Sequence, residues 1–241
     1  MRPTLLIARR ELSAYLRSWT GYIVIALAWF ADGLFFNAFV LGGAEKRSAE
    51  VLSNFFYLSF GMTVIASIFI SMRLLAEERQ QGTINLLFSS PVRDTDIVLG
   101  KFLAALAFLG IMVVGTLYMP LMIFVHGKVS WGHIAGGYFG LMLVGAATLA
   151  IGTLGSALAR NQVLAVILTA AMVLSMLVAW MLGRVTDRPL SEIFMALALF
   201  NQHFIPFQSG LVHLRDVVYY LAVTYVFLFL ATRVVEARRW R

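Results

Sequence analysis

The sequence predicts an all-α protein that crosses a membrane six times. Its composition is 61% hydrophobic and 13% charged, against about 25% charged residues in an ordinary soluble domain. Six apolar stretches are long enough to cross a bilayer, whose roughly 30 Å hydrocarbon core needs about 20 helical residues. The stretches are continuous, whereas a β-barrel needs short alternating segments. In 241 residues, six such helices leave no room for a separate soluble domain.

The predicted spans are 20–41, 54–76, 97–125, 134–158, 163–183 and 216–234. Together with their connections they form one transmembrane domain, 1–241. Two connections are longer than the others. A polar segment, 77–96, separates the second and third spans, and 184–215 separates the last two.

The segment 1–19 predicts a helix that lies along the membrane surface before the first span. Apolar residues recur in it near helical spacing, at Leu5, Leu12, Leu16 and Trp19. The arginines take other positions, which is typical of an interfacial helix. The segment is too long, and the following span too interrupted by polar residues, for a cleaved signal peptide. The alternative is a plain basic flank.

Two polar residues interrupt the first span, Asp32 near mid-depth and Asn37 five residues later. A carboxylate in lipid is costly, so Asp32 should face the bundle interior, a partner helix or water. One interpretation is that Asp32 and Asn37 line a pathway or an interface. The other is that the span is displaced and Asp32 lies nearer the outer interface.

Small residues four positions apart in the fourth span predict close helix packing, at Gly136 and Gly140 and at Gly152 and Ser156. Ser156 as an intramembrane nucleophile is the alternative. No span carries a histidine that could act as its base. We therefore expect packing and no catalytic residue.

The distribution of Lys and Arg places both termini in the cytoplasm, because short basic segments are retained there. Most of the 19 basic residues fall in the termini, around 77–96 or in the short turn 160–162, which are all predicted to be cytoplasmic. This topology and contact with anionic membrane lipids explain the net charge of +7. They explain it better than a nucleic acid partner does.

No pattern typical of an active site or a metal site is found. The glycine-rich loop that cradles phosphates is absent, so ATP is not expected to bind through it. The chain has no cysteine, so it has no cysteine-bound metal and its redox compartment cannot be inferred. The histidines are expected to be solvated or interfacial in external loops, without a metal: His126, His133, His203 and His213.

The polar segment 77–96 predicts a short helix outside the membrane. Charged residues open it at 77–79, an apolar run follows at 84–88, and Pro91 closes it, because the residue before a proline is biased away from helix. Lys101, in the first turns of the third span, is expected to extend to the cytoplasmic surface.

Together with six spans, this segment resembles the permease subunits of type-2 ABC transporters, and the resemblance covers essentially the whole chain. The matching residues are Glu77, Glu78, Arg79, Gly82, Thr83, Leu86, Leu87, Ser90, Pro91, Gly100 and Lys101. The resemblance implies the type-2 ABC exporter permease fold, with 1–19 as its interfacial helix. It also implies a coupling helix that contacts an ATPase, with these coupling residues: Glu77, Glu78, Arg79, Gly82 and Thr83. A solvated loop is the alternative for them.

The same resemblance implies a division of labour between subunits in the bacterial inner membrane. A separate cytoplasmic ABC ATPase would bind ATP and Mg²⁺, while this chain holds no cofactor and is not itself an enzyme. A second permease, identical or homologous, would complete a dimer, and a periplasmic or auxiliary membrane subunit could join it. The segment 184–215 would form short re-entrant helices, although by its own pattern it could equally lie flat on the membrane.

The C-terminal part resembles more closely the permease associated with bacterial gliding motility, a group near the permease that matures nitrous-oxide reductase. The matching residues are Gln202, His203, Phe204, Phe207, Gly210, the run from Arg215 to Tyr219 and the run from Glu236 to Arg241. The resemblance implies ATP-driven export or translocation. The alternative is a subunit that transmits movement to an envelope machine, for gliding or secretion, without transported cargo.

Overall fold

A computed structural model describes residues 3–41, 48–83, 92–126 and 129–239. These residues form helices and turns without a strand. The helices are α1 (Pro3–Arg17), α2 (Trp19–Phe35, continued by a π-helical turn, Phe36–Leu41), α3 (Ser48–Ser71), α4 (Ala76–Gln80), α5 (Asp94–Gly115), α6 (Tyr118–His126), α7 (Trp131–Leu158), α8 (Gln162–Val185), α9 (Leu190–Ala196), α10 (Ile205–Gln208) and α11 (Leu214–Arg239).

Six helical stretches of the described residues are long and apolar enough to cross a membrane, which confirms the predicted all-α membrane fold. They are Gly21–Ala38, Ser48–Gln80, Asp94–Val125, Trp131–Leu158, Gln162–Val185 and Leu214–Arg238. Several of them extend past the predicted apolar runs. Backbone hydrogen bonding continues into polar residues beyond the apolar run, so α3 begins at Ser48 instead of at 54.

Helix α7 lies at the centre of the bundle, packed against α3, α5, α8 and α11. Of its most apolar 18 residues, 89% are buried inside the bundle. Its glycines allow this, because a methyl group at Gly137 or Gly152 would collide with Phe56 or Ser71. Close packing of this span is thus explained by its small residues.

Helix α1 lies along the first turns of α5. A Cβ atom at Gly100 would come 2.8 Å from Ile7 and 2.9 Å from the carbonyl oxygen of Thr4, and the Thr4 hydroxyl donates a hydrogen bond to Asp96 at 2.6 Å. Three of the apolar residues that predicted this helix remain exposed, Leu5, Leu16 and Trp19. The N-terminal segment therefore forms a helix, and its location at a membrane surface stays a prediction.

The bundle has two ends, each formed by a different set of helices and turns. We call the end formed by α1, α4, the α7–α8 turn and the end of α11 the termini face. The other end, formed by α9, α10 and the first turns of α7 and α11, is the opposite face. On the opposite face, the residues around α10 insert into the bundle, with Leu199, Phe204 and Phe207 fully buried. Helix α9 instead packs along α8 and has no buried side chain.

Candidate functional site

The candidate site is the α4 junction, residues 72–83, where the chain leaves α3 and turns into α4. The side chain of Ser156, on α7, lies at this turn. Its Oγ accepts hydrogen bonds from the backbone N–H groups of Leu75 and Ala76, each at 3.0 Å. The first N–H groups of a helix have no partner within it, so Ser156 caps α4 from another helix. The central helix of the bundle therefore determines where the α4 junction bends.

A buried cluster of charges joins the α4 junction to α1 and α5. The Nζ atom of Lys101 lies 2.7 Å from Oε1 of Glu78 and 3.1 Å from Oε1 of Glu11. The side chain of Lys101 is only 3% exposed. The prediction that Lys101 extends to the surface is therefore wrong. Carboxylates from two other helices surround its ammonium group, and a buried charge is tolerated when it is paired in this way.

The electrostatics of this cluster are clearest at Glu11, on α1. Burial on its own raises the pKa of the Glu11 carboxyl. The positive charges of Lys101 and Arg10, and the hydrogen bonds that both donate, outweigh burial and hold this pKa below its ordinary value. The carboxyl of Glu11 is therefore ionised at neutral pH. One oxygen of Glu78, Oε2, is buried and has no hydrogen-bond partner among the described residues.

A second ion pair lies beside the first. Arg73 holds Glu77 through two hydrogen bonds, from Nε at 2.8 Å and from Nη2 at 3.1 Å. The guanidinium of Arg73 also lies 5.8 Å from the ring centre of Tyr15, on α1. Burial raises the pKa of the Tyr15 phenol, whose hydroxyl donates to the carbonyl oxygen of Ile70 at 3.3 Å. These side chains line a polar cavity of about 200 Å³.

The remaining side chains of α4 reach the turn between α7 and α8. Nη1 of Arg79 donates to the carbonyl oxygen of Ala159 at 2.6 Å, and the side chain of Gln80 accepts from the backbone N–H of Gln162 at 3.3 Å. Together with Ser156 and Lys101, these contacts tie the α4 junction to α1, α5, α7 and α8. No local pattern in the sequence predicts such contacts between residues that lie far apart in the chain.

The chain emerges from the bundle at Gly82 and Thr83, which are both exposed. Gly82 has a φ of +71°, in the left-handed region that glycine adopts readily. Among the described residues other than its chain neighbours, no atom lies within 4 Å of where its Cβ would be. The backbone N–H of Thr83 donates to the carbonyl oxygen of Glu78 at 2.9 Å. The apolar run 84–88 of the predicted helix lies outside the described residues, as do the matching residues Leu86, Leu87, Ser90 and Pro91.

The predicted coupling residues therefore fall into two groups. Glu77, Glu78 and Arg79 are partly buried: Glu77 pairs with Arg73 inside the junction, while Glu78 and Arg79 contact other parts of the bundle. Gly82 and Thr83 face outward. Their role in coupling stays a prediction. Ser156 was predicted only as a packing residue, and nothing in its local sequence indicates that it caps a helix 80 residues earlier in the chain.

The two polar residues of the first span have different surroundings. Asp32 is 7% exposed and faces the bundle interior, where it interacts electrostatically with Tyr138 of α7. Asn37 is exposed, in the π-helical turn that follows α2. The two side chains therefore do not line one common surface within this subunit, and a role in a pathway or an interface stays a prediction for each.

On the opposite face, His203 is buried, so the prediction that it is solvated or interfacial is wrong. Its Nδ1 lies 2.8 Å from Oδ1 of Asp216, and its ring stacks on Tyr219 with ring centres 3.7 Å apart. His213 lies 3.6 Å from the other oxygen of Asp216. The i, i+3 spacing of His213 and Asp216 was a usable signal in the sequence. No group of three or more potential metal ligands occurs among the described residues.

Several of the residues that carry the closer resemblance stabilise the fold of this opposite face. Phe204 and Phe207 are fully buried. Gly210 has a φ of +79°, and a Cβ atom there would lie 2.8 Å from Cα of His133. Arg215 donates to the side-chain oxygen of Gln202 at 3.2 Å. These residues therefore have a structural reason to occur together, independent of any particular biological process.

Comparison with known protein families identifies the family to which this chain belongs. Residues 5–238 match the family described as ABC-2 family transporter protein. No individual curated protein matches the chain. The match covers nearly the whole chain, including α1, the α4 junction and all six candidate spans. The chain therefore belongs to the ABC-2 transporter family, as a multi-pass membrane permease.

Proposed function

We propose that this permease is driven by a separate cytoplasmic ATPase, which acts through the α4 junction to power export or translocation. The supporting observation is the set of contacts that converge there. Ser156, Lys101 and Arg79 connect the junction to helices from three other parts of the chain. A force applied to α4 is thereby transmitted to α1, α5 and α7 together.

The two groups of coupling residues have different tasks in this proposal. The exposed residues 81–83 and the following segment 84–91 contact the ATPase. Glu77, Glu78 and Arg79 do not contact it, and they transmit its movement to the bundle. A pull on Glu78 moves Lys101, and through Lys101 it moves Glu11 on α1.

The movement is driven by the nucleotide, because the ATPase binds ATP with different affinity in two arrangements of the permease helices. ATP and Mg²⁺ bound in the ATPase favour one arrangement, and their loss favours the other. Charged and polar contacts of the α4 junction suit such a change, since water can replace their hydrogen bonds at the cytoplasmic surface. The permease chain contributes no catalytic group to ATP hydrolysis in this proposal.

A second permease subunit, identical or homologous, completes the assembly. Of the most apolar 18 residues of each span, 89% are buried in α7, against 22% in α2, 22% in α8 and 28% in α11. The single subunit is therefore tightly packed at its centre and widely exposed at these three spans. We place any translocation path between the two subunits, and not through α7. The assembly lies in the bacterial inner membrane with both termini in the cytoplasm, where a periplasmic or auxiliary membrane subunit can join it from the other side.

The alternative is a subunit that moves an envelope machine, as in gliding or secretion, without cargo. It rests on the resemblance of the C-terminal part of the sequence to gliding-motility permeases, whose matching residues include His203 and Asp216. Both functions use the same input at the α4 junction. Reconstitution of the complex in vesicles, with and without an added periplasmic subunit, distinguishes the two functions. Export requires a transported product to appear on the other side of the vesicle membrane.

The experiment that tests the ATPase contact is substitution of Gly82, in the purified complex of permease and co-isolated ATPase. We expect Gly82→Trp to lower permease-stimulated ATP hydrolysis and recovery of the ATPase, while insertion in the membrane is retained. Gly82→Asn should have a smaller effect, because asparagine tolerates a positive φ. Gly132→Trp is the matched control on the opposite face, where the nearest atom to a Cβ lies 3.9 Å away. Unchanged stimulation in Gly82→Trp would refute the proposed contact.

A further inference from the structure

The third span is interrupted where α5 ends and α6 begins. Pro120 lies just after this break, and a proline has no N–H group to donate to the residue four positions earlier. A tightened turn of this kind within a long helix often marks a hinge. Three backbone N–H groups there donate to the carbonyl oxygen three residues back instead of four: Thr116 to Val113 at 3.1 Å, Leu117 to Val114 at 3.0 Å and Met119 to Thr116 at 3.1 Å.

This turn leaves the carbonyl oxygen of Met112 available to another donor. In a continuous α-helix it would accept from Thr116, four residues later, but the N–H group of Thr116 donates to Val113. The indole Nε1 of Trp29, on α2, donates to Met112 instead, at 2.9 Å. Gly115 makes room for the indole, because a Cβ atom there would collide with it. The first span therefore supplies the hydrogen bond that the break in the third span removes.

The central helix holds the break from another side. The hydroxyl of Thr116 lies 3.0 Å from that of Tyr138, on α7. Of the most apolar 18 residues of each span, 89% are buried in α7 but only 22% in α2. Trp29 itself is 38% exposed. The contact with α2 is therefore the one that can be released while the rest of the bundle stays packed.

Release of Trp29 would not leave a carbonyl group without a donor, which would be costly inside a membrane. When the indole leaves, the N–H group of Thr116 can return to the carbonyl oxygen of Met112 and restore the α-helical bond. Val113 keeps the hydroxyl of Thr116, which donates to its carbonyl oxygen at 2.7 Å. A tightened turn and an α-helical turn direct the following residues differently. The break thus has two arrangements that differ in the angle between α5 and α6.

We propose that this break is a hinge in the third span and that Trp29 is its latch. While the indole is bound, the first span fixes the angle between α5 and α6, and its release lets that angle change. The two halves are attached to different ends of the bundle. Helix α5 carries Lys101, in the charge cluster of the termini face. Phe124 of α6 packs on Trp131, in the first turn of α7, with ring centres 4.5 Å apart. The hinge therefore lets one end move without the other.

The test measures the position of each half in the purified full chain. The chain has no cysteine, so introduced cysteines can carry spin labels without background labelling. The pair Val125→Cys/Leu221→Cys reports on α6, and the pair Leu103→Cys/Leu221→Cys reports on α5. All three side chains are exposed. The measurement is the distribution of distances between the two labels of each pair.

We expect Trp29→Phe to change the α6 distribution, because this variant keeps an aromatic ring but lacks the N–H donor. A change of about 20° at the break moves the end of the nine-residue α6 by about 5 Å. The α6 distribution should shift or broaden by about that amount. The α5 distribution should stay unchanged, because Lys101 still holds α5 to α1 and α4.

A second variant tests the latch from the other partner. Gly115→Ala adds a methyl group that displaces the indole, so it should change the α6 distribution in the same way. Gly110→Ala is its matched control on α5, where a Cβ atom would meet the flexible end of Met142 at 3.3 Å. Trp180→Phe is the control for Trp29→Phe, because this tryptophan lies in another span, α8. Neither control should change the α6 distribution.

Two results would overturn the proposal. Unchanged α6 distributions in both Trp29→Phe and Gly115→Ala would show that the indole does not set the angle. Equal broadening of the α5 and α6 distributions would show a general loosening of the bundle instead of a hinge. Both label pairs are measured on the permease alone, so neither result depends on the proposed contact with the ATPase.

Discussion

The two faces of the bundle both bury ionisable side chains, but they do so by different means. On the termini face, Lys101 is held by carboxylates from two other helices, beside a polar cavity. On the opposite face, His203 pairs with Asp216 and its ring stacks on Tyr219 and lies beside Tyr220. The first arrangement depends on charge, and the second depends mainly on packing.

This difference indicates which face can move. A close-packed aromatic cluster resists rearrangement, because separated rings lose contacts that water does not replace. Hydrogen bonds and ion pairs beside a cavity can be exchanged for bonds to water or to another partner. We therefore expect the termini face to rearrange when the ATPase acts and the opposite face to remain intact. The following predictions test this contrast, from the largest expected effect to the smallest.

Replacing the buried lysine of the termini face should have the largest effect. Lys101→Met removes the cation between the carboxylates of Glu11 and Glu78 and leaves only the exposed Arg10 beside Glu11, which should cost about 3–5 kcal/mol of unfolding free energy. The measurement is equilibrium unfolding in detergent micelles. The control is the triple variant Lys101→Met/Glu11→Gln/Glu78→Gln, which removes all three charges and should recover most of the lost stability. A single variant as stable as the original chain would contradict the role of this cluster.

Breaking the pair on the opposite face should have the next largest effect on stability. His203→Ala leaves the buried carboxylate of Asp216 without its closest partner and removes the stacking on Tyr219, which should cost about 2–3 kcal/mol. ATP hydrolysis per folded complex should not change, because the α4 junction is untouched. His213→Ala is the matched control, since His213 faces the same carboxylate from an exposed position. If His203→Ala lowered permease-stimulated ATP hydrolysis while the protein remained fully folded, the proposed distinction between the two faces would be wrong.

Removing the interhelical cap should have a smaller effect on stability and a visible effect on coupling. Ser156→Ala leaves the N–H groups of Leu75 and Ala76 without their acceptor, at a cost of about 1–2 kcal/mol. Because α4 would then be less firmly connected to α7, stimulated ATP hydrolysis should also fall. Ser175→Ala is the control, since Ser175 is exposed and bonds only within its own helix. Equal stimulation in both serine variants would show that α7 does not position the α4 junction.

The acid sensitivity of the termini face should be the smallest effect. The pKa of Glu11 is lower in the folded chain than its ordinary value of 4.5. Its contribution to stability is therefore complete above pH 4.5 and is lost as the pH falls through the folded pKa, below 4.5. Glu11→Gln should make the stability of the protein less dependent on pH in this acidic range. The Tm measured between neutral and acidic pH tests this, and an identical slope in the variant would contradict it.

The parts of the candidate site that could be predicted were those with a local signal. The charges at Glu77 and Glu78 and the glycine at Gly82 marked a segment outside the membrane, because each breaks an apolar stretch of the chain. The burial of Lys101 could not be predicted from its neighbours. It depends on Glu11, which lies 90 residues earlier in the chain.

The opposite face shows the same limit. The sequence placed His203 in a connection between spans and therefore predicted a solvated or interfacial side chain. Its burial results from Asp216 and Tyr219, which approach only because the residues around α10 insert between α3, α7 and α11. An apolar pattern in a connecting segment is compatible with insertion into the helix bundle and also with lying flat on the membrane surface. The sequence therefore does not distinguish these two arrangements.

The sequence by itself determined that this protein is an all-α membrane protein with six spans, because transfer of a helix into lipid depends on the length and polarity of that one segment. Its joint motif also indicated the permease family. Only the tertiary structure decided which polar groups are buried, which of the coupling residues turn inward and where Ser156 acts. These features depend on pairs of residues far apart in the chain, whose interaction free energies exist only once the helices have packed.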